Sequence, residues 1–207
     1  HRTFVAPLLA DLGFSATFFV THRWMSDREN FMSWDAIAEI ASMGFEIGNH
    51  SWSHSNFSSP KNAARIEGEL ALVDNALAKV GVEKPVSFAW CGNRFGPEAL
   101  EKLHKLGIRF ARRGLSPELD NRALEPGPAY NPSRHDPLLI PTTGNAIPYW
   151  SLELFRRVLE RANEGIVVLQ FHGVPDVAHD WVHTPSESFR QYMEELRRQG
   201  FRVLALR

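Results

Sequence analysis

Two histidines stand four residues apart in Asn49-His50-Ser51-Trp52-Ser53-His54, directly after a short β-prone run. On one turn of helix that spacing puts both imidazoles on one face, where they can reach the same ion at about 2.0–2.1 Å. The zincin pattern shares the spacing but needs a Glu directly after the first His; Ser51 stands there, so that general base is missing. A plainer reading keeps the pair as half-buried histidines capping backbone groups at a strand end. A third histidine, His172, closes the apolar run Ile166-Val167-Val168-Leu169-Gln170-Phe171. The carboxyl end of a buried parallel strand is where βα enzymes place catalytic groups, and general acid is the role that suits His172 there. Hydrogen bonding to its own loop is the plainer alternative.

For histidines so far apart in sequence to act together, the chain must bring several strand ends to one side. Its apolar pattern alternates in the way that requires. Phe4, Val5, Leu8, Leu9 and Leu12 recur at helical spacing over 4–12 with Gly13 as the stop, and 16–20 reads as a strand buried on both faces. Ser33 caps a helix carrying Trp34, Ile37, Ala38, Ile40 and Ala41 that closes at Gly44, and 45–48 is the next strand. A helix over 62–80, a strand over 86–90, a helix over 97–106 with Pro in its first turn and a strand over 108–111 continue the series. The stretch 114–137 carries Pro117, Pro126, Pro128, Pro132 and Pro137 and reads as an irregular excursion. A strand over 138–140, a helix over 151–163, a strand over 166–171, a helix over 185–198 and a strand over 201–206 complete the chain. Thr184, Pro185 and Glu187 read as a capping box for the last helix. Such a series implies a parallel sheet, either open and doubly wound or closed into a barrel. Because a crossover helix normally follows a strand, the leading helix points to a strand before His1.

Bulk properties exclude several function classes. At 207 residues with 43% hydrophobic content the chain suits one well-buried domain. A net charge of −1, from 23 basic and 24 acidic residues, supplies no field to gather nucleic acid or an anionic membrane. The single cysteine, Cys91, rules out an internal disulfide framework and a multi-thiolate zinc site. No apolar run reaches the roughly 20 residues of a membrane span, and no signal-peptide pattern opens the chain, so it reads as soluble.

Ser15-Ala16-Thr17-Phe18-Phe19-Val20, Ser33-Trp34 and Gly44-Phe45-Glu46-Ile47-Gly48-Asn49-His50-Ser51-Trp52-Ser53-His54 are together similar to the polysaccharide deacetylases, also called family 4 carbohydrate esterases. Phe88-Ala89-Trp90-Cys91-Gly92-Asn93-Arg94-Phe95-Gly96-Pro97-Glu98 resembles the family's third motif in the variant that usually reads Phe-Ala-Tyr-Pro, and Val168-Leu169-Gln170-Phe171-His172 resembles its last motif. The likeness spans essentially the whole chain and implies a single catalytic domain over 1–207. It also implies an α/β fold, a distorted (β/α)7-type barrel lacking its first strand in this chain. The barrel would hold a divalent metal, commonly zinc, on one Asp and two His, with a second Asp as base and a His as acid. His50 and His54 match the metal histidines and His172 the acid. The Asp pair, in a Thr-Phe-Asp-Asp-Gly segment ending the first strand, has no counterpart and would fall immediately before His1.

The implied reaction is hydrolytic removal of an acetyl group from an N-acetylated or O-acetylated saccharide. An amide carbonyl is a poor electrophile; a metal polarises it and lowers the pKa of water from about 15.7 toward ~7. A carboxylate takes the water's proton and a protonated His returns one to the departing amine. The family's use of a backbone amide in its third motif places an oxyanion donor near Cys91 and Gly92. Lacking the Asp pair, residues 1–207 alone are expected to bind metal weakly and turn over little. The same fold acting on a non-sugar amide, and a natural pseudoenzyme that only binds glycans, are the competing readings. Cys91 itself reads as a small buried residue. Arg94 reads as a group holding a carboxylate in the site, or as cover for the helix beginning near Pro97. Trp52, Trp90, Trp150 and Trp181 offer flat faces that suit sugar rings, Trp52 foremost, and each equally suits a core. Asp176, His179, Asp180 and His183 could contact substrate or a second ion, against the plainer reading of a solvated loop.

Overall fold

Local signals in the sequence account for most elements of the computed structural model, which describes residues 1–207. Helix α1 (Val5–Asp11) turns Val5, Leu8 and Leu9 inward and is followed by Gly13 at a left-handed φ of 70°. Strand β1 (Thr17–Val20) leads to α2 (Trp34–Ser42), whose Ser33 hydroxyl accepts the Ala36 N–H at 3.2 Å. Strand β2 (Glu46–Asn49), helices α3 (Pro60–Ala63) and α4 (Ile66–Lys79), strand β3 (Ser87–Ala89), helix α5 (Pro97–Lys105) and strand β4 (Phe110–Arg112) follow. After the proline-rich excursion come β5 (Gly144–Asn145), α6 (Leu152–Glu160), β6 (Leu169–Gln170) and α7 (Ser186–Arg198).

Strands β1 to β4 lie side by side in chain order and all run parallel, with Thr17 opposite Glu46, Asn49 opposite Phe88 and Ala89 opposite Arg112. A parallel bridge from Arg112 to Ile140 carries pairing past β4, and β5 pairs in parallel with β6. Because strands β1 to β4 are parallel, the residues leaving β2, β3 and β4 emerge on one face. One apolar cluster, including Ile37, Ile40, Leu77, Phe155 and Tyr192, packs helices against β1 and β2, and a second, including Phe57, Ile66, Phe88, Trp90 and Leu103, fills the space under α4 and α5. Gly48 in β2 is set by packing, since a Cβ there would lie 2.5 Å from the Phe19 ring. No helix is long and apolar enough to cross a membrane.

The structure departs from the sequence reading where side chains compete for backbone groups. The helix expected over 62–80 begins earlier, at Pro60, because the Ser59 hydroxyl accepts the Asn62 N–H at 3.3 Å; it then breaks after Ala63 before α4 starts. No capping box forms at Thr184, whose N–H donates to the Gly173 carbonyl at 2.9 Å while its hydroxyl stays buried without a partner. Residues 138–140 are not a strand: Pro137–Leu139 is a 3-10 turn in which the Asp136 carboxylate accepts the Leu138 N–H at 2.8 Å. The strand expected over 166–171 narrows to β6, and Ile166 bridges Tyr130 in antiparallel fashion. Residues 201–206 form no ladder, because the Leu206 N–H goes to the Thr17 hydroxyl at 3.0 Å and the Glu46 carboxylate at 3.1 Å.

Candidate active site

His50 leaves the end of β2 with its N–H still donating to the Val20 carbonyl at 2.9 Å, so the strand pairing fixes its backbone. Its Nδ1 lies 2.7 Å from the Ala89 carbonyl at the end of β3. A carbonyl can only accept, so Nδ1 carries the proton and Nε2 keeps the lone pair. The chain then bends sharply, with Ser51 at φ 57° and His54 at φ 53°, both in the left-handed region. Such conformations cost of order 1–3 kcal/mol at a non-glycine residue and persist only where the surroundings impose them. Helix α4 imposes them here. Asn49, fully buried, donates to the Leu70 carbonyl and to Asp74 at 3.1 and 3.0 Å, and accepts the Ser51 N–H at 2.9 Å. Glu69, a buried carboxylate, takes both the N–H and the hydroxyl of Ser53 at 2.7 Å. The histidines therefore converge through a pinned loop and not, as the spacing suggested, through a turn of helix.

The two rings meet edge to face, centroids 4.7 Å apart and planes at 80°. Their nitrogens and the Cys91 sulfur lie within 4.8 Å of one another. Burial, then the charges of His54, Arg112 and His172, push the His50 pKa down to about 3; burial and Arg23 also lower that of His54. Both imidazoles are thus neutral near pH 7. Cys91 follows β3, is almost fully buried, and donates its S–H to the His50 carbonyl at 3.2 Å. Burial pushes its thiol up to about 12, and the ring atom it approaches, at 3.7 Å, is the Nδ1 already engaged by Ala89. We read it as a support behind the His50 loop, on the side away from the Nε2 lone pair.

His172 leaves β6 beside Gln170, their Nε2 atoms 3.0 Å apart. The Gln170 Oε1 accepts from the Arg112 guanidinium at 2.6 Å, which can only donate, and this fixes the amide so that the NH2 faces His172. His172 therefore accepts at Nε2 and is neutral with its proton on Nδ1. Its side chain is exposed to water although protein surrounds it closely; that crowding, then the charges of Arg112 and His54, lowers its pKa, and the open surface tempers the effect without reversing it. Arg112, at the end of β4, went unnoticed in the sequence. It is buried, its Nη1 donates to Asn93, Gln170 and the Arg113 carbonyl, and burial lowers its pKa only to about 10, so it stays charged. The signal that could have found it is its place at the end of the strand run that closes at Ala111. Arg113 differs in having a carboxylate partner, Glu118 at 2.7 Å. None of His50, His54, His172 and Arg112 makes a hydrogen bond to a carboxylate.

The remaining sequence candidates separate by burial. The Cys91 and Gly92 N–H groups meet no backbone carbonyl, and Gly92 and Arg94 border a polar cleft of about 480 Å³ shared with Asn93, Ser116 and Asn121. Trp52 is half-buried with one face covered by His22 at 3.8 Å. Trp90 and Trp150 belong to the core, Trp90 donating its indole N–H to the Leu138 carbonyl at 2.9 Å. Trp181 is exposed. Asp176 accepts from the His179 Nδ1 and N–H at 2.9 and 3.0 Å, and its own N–H donates to His183, so those residues order their loop.

Known proteins place this arrangement. The solved structure of a CE4 family pseudoenzyme from Bacillus anthracis superposes with a TM-score of 0.64 at 18% identity, covering 99% of this chain and 58% of that one. A family 4 acetyl xylan esterase from Clostridium thermocellum, solved with a cobalt ion, gives 0.62 at 20% identity over 98% of this chain and 80% of the other. A peptidoglycan N-acetylglucosamine deacetylase gives 0.64 at 14% identity, over 99% and 79%. No curated protein matches the chain. The fold is that of the family 4 esterases, a distorted (β/α)7 barrel, and this chain spans about three-fifths of the length of the pseudoenzyme. The family profile for polysaccharide deacetylase matches residues 3–111. With more than half its length under that profile and its parallel strands in that fold, the chain belongs to the polysaccharide deacetylase family.

Proposed function

We propose that the chain forms a single catalytic domain over 1–207 that takes part in metal-dependent hydrolysis of acetyl groups on N-acetylated, or O-acetylated, saccharides. The observation that carries the reading is the convergence of two neutral imidazoles, His50 and His54, at 4.7 Å on a strand-end face that also holds His172. These residues fit a divalent cation that favours nitrogen donors, which we assign as zinc: the His50 Nδ1 is committed to Ala89, the Nε2 lone pair is available, and no proton competes for it at neutral pH. A cation held there supplies Lewis acidity toward the acetyl carbonyl and acidifies water near neutral pH.

The chain's own groups divide the remaining work. His50 and His54 hold the ion, and the pinned loop between β2 and α3 keeps their rings in place. The N–H groups of Cys91 and Gly92, which meet no backbone carbonyl, are the donors this reading assigns to the oxyanion that develops on the acetyl carbonyl. Arg94 and Trp52 border the substrate side. His172, neutral with Nε2 accepting from Gln170, must gain a proton before it can protonate the departing amine or alcohol. Arg112, charged and bonded only to neutral oxygens, favours an anionic group beside it; a carboxylate acting as base and as further ligand would offset its charge. The relatives that act on acetyl xylan and on peptidoglycan N-acetylglucosamine support both ester and amide substrates.

The second reading is a glycan-binding pseudoenzyme, the class of one solved structure that shares this fold. Acetate release decides between them. In the full-length protein, release from acetylated oligosaccharides should require zinc, cease on chelation and be lost in His50→Ala, while zinc binding by calorimetry should survive Cys91→Ala. Release that persists unchanged in His50→Ala defeats the metal reading, and no release from saccharides or simple amides leaves the pseudoenzyme.

A further inference from the structure

Two loops carry aromatic rings that no step above uses. Trp24 and Phe31 come from the segment between β1 and α2, and His179 and Trp181 from the segment between β6 and α7. The Trp24 ring lies 4.9 Å from the ring of His54 and 5.9 Å from Phe31; Phe31 lies 5.8 Å from His179, and His179 5.3 Å from Trp181. The rings thus form one unbroken arc that starts on a candidate metal ligand and leads outward across two loops distant in sequence. The arc is not core: Trp24 is 39% and Trp181 66% exposed. Burying tryptophan is ordinarily favourable, so two exposed indoles joined by intervening rings mark a surface that is covered in use.

The borders of the arc are polar and held in place. The Arg23 guanidinium lies 5.4 Å over the Trp24 ring and donates to the Ser53 carbonyl at 3.2 Å, while Asp176 fixes the His179 ring through Nδ1 at 2.9 Å. Flat apolar faces edged by fixed charged hydrogen-bonding groups match a pyranose ring, which has an apolar face of C–H bonds and an equator of hydroxyls. A lipid or a helical protein partner would instead call for a continuous apolar surface. We propose that this arc is the platform on which the saccharide chain lies, with Trp24 stacking on a sugar beside the one whose acetyl group reaches His54 and Trp181 stacking on a sugar farther along. The assignment deepens the deacetylase reading and rests on it for the placement of the acetyl group, but the stacking can be measured separately.

The test uses the full-length protein with its metal, an acetylated monosaccharide, an acetylated oligosaccharide, and the same oligosaccharide without acetyl groups as a binding probe in calorimetry. For Trp24→Ala and Trp181→Ala the ratio of kcat/KM for oligosaccharide over monosaccharide should fall about three- to tenfold each, through KM, and probe affinity should fall by a similar factor. Trp24→Phe and Trp181→Phe, which keep a flat ring, should restore most of both. If acetate is released but ratio and affinity do not change in the alanine variants, the platform is refuted and the deacetylase reading stands. If no acetate is released yet the probe binds and the alanine variants weaken it, the deacetylase reading fails and the platform stands as a glycan-binding surface. Failure of the wild-type protein to bind the probe overturns the platform whatever the acetate result.

Discussion

At the scale of single residues, the unusual feature is a buried arginine answered only by neutral oxygens. A charge taken out of water is tolerated when hydrogen bonds replace its hydration, and Gln170 provides the shortest of those made by Arg112, at 2.6 Å. The same amide holds His172, so one side chain sets both the cation and the imidazole. Gln170→Ala should therefore lower stability by about 1–3 kcal/mol, since it strands part of a buried guanidinium. Chemical denaturation checks this, and histidine NMR should show the His172 proton no longer confined to Nδ1. Replacement by Glu would place a carboxylate beside Arg112, a different electrostatic site from the native one.

At the scale of elements, two carboxylates on helices do positional work. Glu69 of α4 takes both donors of Ser53 and an ion pair from Arg65 at 2.9 Å, and so holds the loop whose left-handed residues aim His54. If the proposed metal site is right, Glu69→Ala in the full-length protein should weaken affinity for a divalent cation about tenfold although it touches neither histidine, an effect of the size seen when the supports of metal ligands are removed. Calorimetry with and without the substitution is the check. Glu195 of α7 joins α6 to α7 by accepting from Arg198, Arg156 and Gln199 at 2.6, 3.0 and 2.7 Å. Arg198 first, then Arg156 and Gln199, holds its pKa well below the usual carboxylate range. A depressed carboxylate contributes stability above its unfolded-state pKa and loses it as pH falls through the folded-state value. Glu195→Gln should hence lower Tm at neutral pH, and the gap from wild type should close as the solution is acidified; melting curves at both extremes give the answer.

At the scale of the whole molecule, the gathering of strand ends was legible because ionisable residues interrupt apolar runs where buried strands must stop, as His50 does after Phe45-Glu46-Ile47-Gly48-Asn49 and His172 after Ile166 to Phe171. Helix starts at Ser33 and Ser151 were legible too, since each rests on a contact three residues away. What sequence could not show depends on groups brought in from afar. Arg112 is held by Gln170, 58 residues further along the chain. The expected last strand forms no ladder: its Val203 carbonyl takes the Ser15 N–H, while its Leu206 N–H goes to the carboxylate of Glu46 and the hydroxyl of Thr17. Trp24 was overlooked since a lone tryptophan in a polar loop carries no periodic signal, and its meaning comes from His54 and Phe31 beside it.

The chain's one cysteine gives a final consequence. Its sulfur lies sealed against the backbone of His50, with the thiol pushed up to about 12 by burial. Alkylating dyes react with thiolates that reach water, so the folded protein should resist them and label only during moments when the segment behind the histidines swings open. Labelling rate then becomes a clock for that breathing, and a divalent cation held by the proposed histidine pair should slow it.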